Sequence, residues 1–248
     1  MSKYALFNGC SFVWGDELAD PQGSRFSRLI SDELGIREVN LSVRGASNDR
    51  IFRTTIDHMT SMTSKPEFMI IAWSGTDRFE LFSSLKEDRH GGVLMQCSYS
   101  RVKNKEFEHI TKPLESYFRS IVTDEYDSIR TLNYMATIQL LCRTMGIPLL
   151  QFQFAHRHKI IADRILNDMY FTAKMKEFHK YYKSKVDALA EYSTYGLTNE
   201  YNLLEMSVGI KDVEIRTGYY GHPREKSQVL YKDFMIEQLR KHYDFRVQ

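Results

Sequence analysis

Six consecutive apolar residues, Phe68-Met-Ile-Ile-Ala-Trp73, leave this chain few ways to fold. A strand with one face in water alternates apolar and polar side chains, so a run with no polar face reads as a central strand covered on both sides. Tyr4 to Phe7 reads as a second short buried strand, and Leu149 to Phe154 as another. Helical periodicity fills the intervals between them. Ile51, Phe52, Thr55, Ile56 and Met59 share one helix face, and a longer helix is expected from about Thr123 to Met145, stopped by Gly146 and Pro148. Strands alternating with helices predict an α/β fold, a three-layer sandwich around a mainly parallel sheet.

The remaining punctuation refines this outline. Ser24 is the expected cap of a helix through Phe26, Leu29, Ile30 and Leu34 that ends at Gly35, and Glu38 to Ser42 reads as a strand. Ser47 or Asn48 is the expected cap of the next helix. Order is lost from about Phe79 to Ser120, where Gly91-Gly92 and mixed polar and aromatic residues predict an insertion, with a hairpin as its expected form. His158 to Tyr192 is helical in character. A final helix from about Glu225 to Tyr243 is expected to bury Leu230, Phe234 and Leu239. At 248 residues the chain reads as one domain, 1–248, with the insertion around 80–120.

Chemistry gathers where the strands end. Gly9-Cys10-Ser11 places a hydroxyl just past the first strand, where open α/β sheets bind their ligands. A lone Gly-x-Ser is most often an ordinary turn. Three further segments give it weight: Gly45-Ala-Ser-Asn48, Trp73-Ser-Gly-Thr-Asp77-Arg78 and Gly221-His222-Pro223. A serine hydroxyl needs a base to take its proton, and an imidazole such as His222 serves. The charge that then develops on a carbonyl oxygen needs fixed donors, and a glycine such as Gly45 lets a backbone N–H approach closely. Each residue also has a plain reading: a capping serine, a turn glycine, a loop histidine.

Taken in order, these blocks resemble the SGNH hydrolase superfamily, the GDSL-like esterases and lipases. The resemblance implies a flavodoxin-like fold with Ser11 as nucleophile, His222 as general base, and Gly45 with the Ser11 N–H in the oxyanion hole. It implies a serine esterase acting on a small ester, with an O-acetyl group on a carbohydrate as the expected substrate, and no cofactor. Two departures stand out. The family's third-block Asn aligns with Asp77, and an ionised Asp cannot donate. Asp77 is then protonated, or Asn48 or Arg78 supplies the donor and contacts substrate, or that donor is missing. The family's acid lies two or three residues before the His, where this chain has Tyr219 and Tyr220. A main-chain carbonyl or a carboxylate from elsewhere must then orient the ring. These departures make a catalytically inactive SGNH-like domain with a binding or virion-assembly role the alternative, and the divergent blocks look similar to SGNH-like reading frames of bacteriophages. An acyltransferase would share the same acyl-enzyme.

Composition narrows the partners. A net charge of +2 gives no reason to expect bulk attraction to nucleic acid, and the lysine-rich stretch Lys174 to Lys185 reads as the solvated face of a helix. No apolar stretch approaches the ~20 residues of a membrane span. Cys10, Cys97 and Cys142 have neither metal-ligand spacing nor an even count, and His156 and His158 do not share a helix face, so no metal is expected. The amino terminus lacks the pattern of a secretory signal, which predicts a cytoplasmic protein, or a virion-associated one if phage-encoded. Arg44, Arg50 and Arg78 flank the expected site and would favour an anionic or carboxylate-bearing ester.

Overall fold

A computed structural model describes residues 3–75, 78–82, 94–98, 124–153, 180, 184, 194–195 and 222–243. The expected helix over 158–192, with its lysine-rich part, lies almost wholly outside the described residues, as do Asp77, Tyr219, Tyr220 and Gly221.

Among the described residues the main sheet is parallel throughout. It comprises β1 (Tyr4–Asn8), β2 (Arg37–Asn40), β3 (Phe68–Trp73), β6 (Leu149–Gln153) and β7 (Thr194–Tyr195), in the order β2-β1-β3-β6-β7. β4 (Arg78–Phe82) and β5 (Leu94–Ser98) form a separate antiparallel pair, which places the expected hairpin-like order in the irregular region. With that pair set aside, the strands run second, first, third, fourth, fifth, the flavodoxin-like order. The chain leaves β1 toward one edge and returns to its other side with β3. The connections that follow β1 and β3 therefore run to opposite faces of the sheet, and a crevice opens between them at the carboxyl ends of the strands.

Alternation along the strands feeds two cores, because successive side chains point to opposite faces. Tyr4, Leu6, Met69, Ile71 and Trp73 face one way, onto α4 (Asn48–Ser61) and α5 (Asp124–Met145). Ala5, Phe7, Phe68, Ile70 and Ala72 face the other, onto α3 (Phe26–Glu33) and α6 (Glu225–Tyr243). The apolar run 68–73 is buried at every position, as a strand sandwiched between two helical layers must be. The fold class expected from the sequence is the one observed.

Some local expectations are corrected. Ser24 caps nothing: it closes the short helix α2 (Pro21–Ser24), whose cap is Asp20, accepting from the N–H groups of Gln22 and Gly23. Pro21 in the first helical position sets that start. The extended backbone of Arg25 (ψ 145°) then separates α2 from α3. β2 ends at Asn40 rather than Ser42 because the Asn40 side chain accepts the Ser42 N–H and turns the chain. Leu230 is exposed: the buried stripe of α6 is Tyr231, Met235 and Leu239, four residues apart, and Leu230 lies off that line. Ser47, not Asn48, caps α4, accepting the Arg50 N–H at 3.2 Å.

Behind the sheet edge, Glu38 organises a polar network. Arg25 grips its carboxylate through Nε and Nη2, both at 2.8 Å, while the Ser27 hydroxyl donates to it at 2.6 Å and Arg28 approaches at 3.2 Å. Burial alone would raise the Glu38 carboxyl; the hydrogen bonds from Arg25 and Ser27 and the charges of Arg25 and Arg28 outweigh it and hold the group below the usual carboxylate range. Asn40 ties the network to the site by donating to Ser27 Oγ and to the Val13 carbonyl. Glu38→Gln should cost about 3 kcal/mol at neutral pH, since breaking a buried pair strands a cation. A depressed folded-state pKa stabilises above the unfolded value of about 4.3 and is lost as pH falls through the folded value. Urea unfolding from pH 7 to pH 3 should therefore show the gap between wild type and Glu38→Gln shrinking with acidity; a constant gap would contradict the assignment.

Candidate active site

The turn after β1 is built around an absent side chain. A Cβ on Gly9 would collide with Val13 Cγ2 and stand 2.9 Å from the Ala72 carbonyl of the neighbouring strand. Only glycine lets β1 run this close to β3 before turning. Asn8 secures the same point: its Oδ1 accepts the Gly9 N–H at 2.8 Å, and its amide donates to the Ile51 carbonyl and the Thr54 and Thr55 hydroxyls of α4. The chain then enters α1 (Ser11–Trp14), with Ser11 as its first helical residue and Gly15 as a left-handed cap.

Ser11 Oγ lies 2.9 Å from His222 Nε2, although 211 residues separate them. His222 Nδ1 lies 2.9 Å from Glu17 Oε2, and the same oxygen accepts the His222 backbone N–H at 3.1 Å. A carboxylate only accepts, so Nδ1 carries the proton of the neutral ring. Nε2 is then left with its lone pair toward Ser11, whose hydroxyl donates. This is the arrangement of a nucleophile, a base and an orienting acid. Ser11 is buried, while the side chains of His222 and Glu17 are 15% and 16% exposed, enough shelter to strengthen the hydrogen bonds while leaving the ring within reach from outside.

Glu17 was not singled out by the sequence reading. It stands six residues after Ser11 on the same segment, just past Gly15 and Asp16. The one signal for it was a pair of carboxylates, Asp16 and Glu17, directly after the turn that carries Ser11. Its backbone is in the left-handed region at φ 64°, which a residue with a Cβ adopts at a cost of roughly 1–2 kcal/mol. That twist brings the carboxylate back toward the ring. The Gly15 and Asp16 N–H groups both close on the Ser11 carbonyl at 3.0 Å, so Ser11 and Glu17 share one tightly bonded loop.

His222 is held by the start of α6. Gln228, fully buried, donates to the Pro223 carbonyl at 3.1 Å and accepts the Phe26 N–H at 2.9 Å. The Phe12 ring lies 5.1 Å from the imidazole, centroid to centroid. Gly45 sits in a tight turn closed by the Ala46 N–H on the Val43 carbonyl at 3.3 Å, with φ 74°, the conformation that favours glycine. Asn48 is fully buried and faces the protein: its Oδ1 accepts the Ser74 N–H at 2.7 Å, and its amide donates to the Ser74 carbonyl and to Thr131 Oγ1. With both amide hydrogens engaged, Asn48 braces the end of β3 and has none left for a substrate. Arg78 likewise turns its guanidinium onto the buried Ser74 hydroxyl at 2.9 Å. Asp77 lies outside the described residues.

A family of unknown function, DUF6071, matches residues 19–165, more than half of the sequence. The chain belongs to this family. The matched span contains Gly45, Asn48, Asp77 and Arg78, while Ser11, Glu17 and His222 fall outside it. No curated protein matches this DUF6071 member. Solved structures similar to it include the psychrotrophic esterase EstA from Pseudoalteromonas sp., in a form inhibited by monoethylphosphonate. That likeness has a TM-score of 0.51 at 11% identity, covering 98% of this chain and 100% of that one. TesA gives 0.50 at 13% identity, covering 96% and 99%. A G-D-S-L family protein from Desulfitobacterium hafniense gives 0.50 at 8% identity, covering 95% and 98%. At these identities the likeness establishes the fold, an α/β fold similar to the SGNH hydrolases. No helix among the described residues is long and apolar enough to cross a membrane.

The Gly9 contact gives a direct check on this geometry. Gly9→Ala should destabilise the protein by about 1–3 kcal/mol, because backbone of β3 cannot yield to a methyl group. Thermal denaturation of the variant measures it, and an unchanged midpoint would show that the turn is looser than described.

Proposed function

We propose that this protein is a serine ester hydrolase whose catalytic residues are Ser11, His222 and Glu17. The observation that carries the reading is the hydrogen-bonded chain from Ser11 Oγ through the imidazole to the Glu17 carboxylate. Ser11 Oγ attacks the ester carbonyl while its proton passes to His222 Nε2. The imidazolium so formed is stabilised by Glu17 on Nδ1. Main-chain N–H groups of Ser11 and Gly45 hold the oxyanion. Ser11 begins its helix, and the first N–H groups of a helix have no intrahelical acceptor. Nε2 then returns the proton to the leaving alcohol. Water, activated by the same nitrogen, releases the acid from the acyl-enzyme.

Glu17 takes the place that Tyr219 and Tyr220 cannot fill, which supports an active enzyme over an inactive relative. The substrate class carried forward is a small ester, an O-acetyl group on a carbohydrate being the first to assay. Two main-chain donors suffice for an oxyanion hole, so the reading needs no donation from Asp77.

A fluorophosphonate probe should label the folded wild-type protein and fail to label Ser11→Ala and His222→Ala. Absence of labelling in folded wild type would favour a binding or assembly role instead. Glu17→Gln should retain labelling at a reduced rate and lose on the order of 10³- to 10⁴-fold in ester turnover, the loss expected when the ring is no longer held in its working tautomer. Wild-type turnover in Glu17→Gln would remove Glu17 from the mechanism.

A further inference from the structure

A succession of polar contacts leads from Ser11 to an exposed arginine beside the site. Ser11 Oγ meets His222 Nε2 at 2.9 Å, Nε2 lies 3.9 Å from Asp16 Oδ2, and Asp16 Oδ1 pairs with Arg44 Nε at 2.8 Å. Arg44 immediately precedes Gly45, the proposed oxyanion donor. Its guanidinium carbon stands 4.0 Å above the centre of the Trp14 ring, at cation–π distance. An ion pair on Nε and an aromatic surface beneath thus hold this side chain beside the site.

What they leave open is the outer edge. The Arg44 side chain is 52% exposed, against 22% for Asp16, and its terminal nitrogens carry no protein hydrogen bond among the described residues. A half-exposed guanidinium backed by an indole ring, with Nη1 and Nη2 free of protein hydrogen bonds among the described residues, can take a carboxylate in bidentate fashion. Of the three arginines that flank the site in sequence, Arg78 is committed to Ser74, whereas Arg44 presents charge at the entrance.

We infer that Arg44 forms a subsite for an anionic group on the substrate, so that the enzyme prefers esters carrying a carboxylate near the scissile bond. This rests on the esterase reading above and specifies its substrate class. Trp14 beneath the guanidinium and Asp16 on its Nε keep the side chain beside Gly45.

Paired esters test the inference on the full-length protein. Para-nitrophenyl butyrate against mono-para-nitrophenyl succinate places the carboxylate on the acyl side; phenyl acetate against para-carboxyphenyl acetate places it on the alcohol side. The readout is the anionic-to-neutral ratio of kcat/KM, compared between wild type and variants so that intrinsic reactivity cancels. For at least one pair, Arg44→Gln should lower that ratio about tenfold, the scale of one charge-assisted hydrogen bond. Arg44→Lys should fall between, keeping the charge but losing the fork. Added salt should erode the wild-type preference, since the site is open to solvent. Hydrolysis with ratios unaffected by either Arg44 variant overturns the inference and leaves the esterase standing. No hydrolysis of any of the four esters by folded wild type overturns both.

Discussion

The close passage of β1 beside β3 at Gly9 is the constraint from which the site follows. A side chain there would strike the Ala72 carbonyl, which belongs to a strand buried on both faces and has nowhere to go. With no side chain, the chain turns within two residues from β1 into α1, and Ser11 begins that helix at the carboxyl edge of the sheet. Asn8 at the end of β1 and Asn48 at the start of α4 reinforce the same edge, one bonded to the start of the turn and the other to the end of β3. Two buried amides thus hold the walls of the crevice that the strand order opens.

Ser11 and Glu17 lie on one segment, and that divides the work of assembly unequally. Ser11 and Glu17 are positioned by a local loop whose N–H groups close on the Ser11 carbonyl. His222 arrives from the far end of the chain, and its place depends on α6 docking against α3 through Tyr231, Met235 and Leu239. Gln228 converts that apolar docking into a fixed position for the loop before α6, since it bonds Pro223 on one side and Phe26 on the other. The left-handed backbone of Glu17 is the local strain in this arrangement, and such strain persists where the surroundings over-determine it.

Much of the architecture was legible in the sequence, for a simple reason. Strand and helix periods are local, and Phe68–Trp73, the face of α4 and the end of α5 at Met145 each announce themselves within a few residues. Ser11 and His222 were legible through their order along the chain and their resemblance to a family pattern. Ser24 misled because a serine before an apolar period is a cap only if no better start precedes it, and Asp20-Pro21 does. Leu230 misled because a helix with apolar residues at adjacent positions leaves its phase to the partner it packs against. Asn48 read as a site residue by proximity; its amide turned inward to satisfy backbone that the sheet leaves unpaired.

The sequence by itself determined a sandwiched parallel sheet with a serine at the end of its first strand and a histidine ahead of its last helix. Its apolar runs permit no half-exposed sheet, and Gly9-Cys10-Ser11 marks the turn that follows the first strand. Only the tertiary structure decided which carboxylate meets the imidazole, which amide serves as a brace, and which arginine faces out. Those choices depend on a backbone twist at Glu17 and on contacts between residues up to 211 positions apart, and such distances are set by packing rather than by any local pattern.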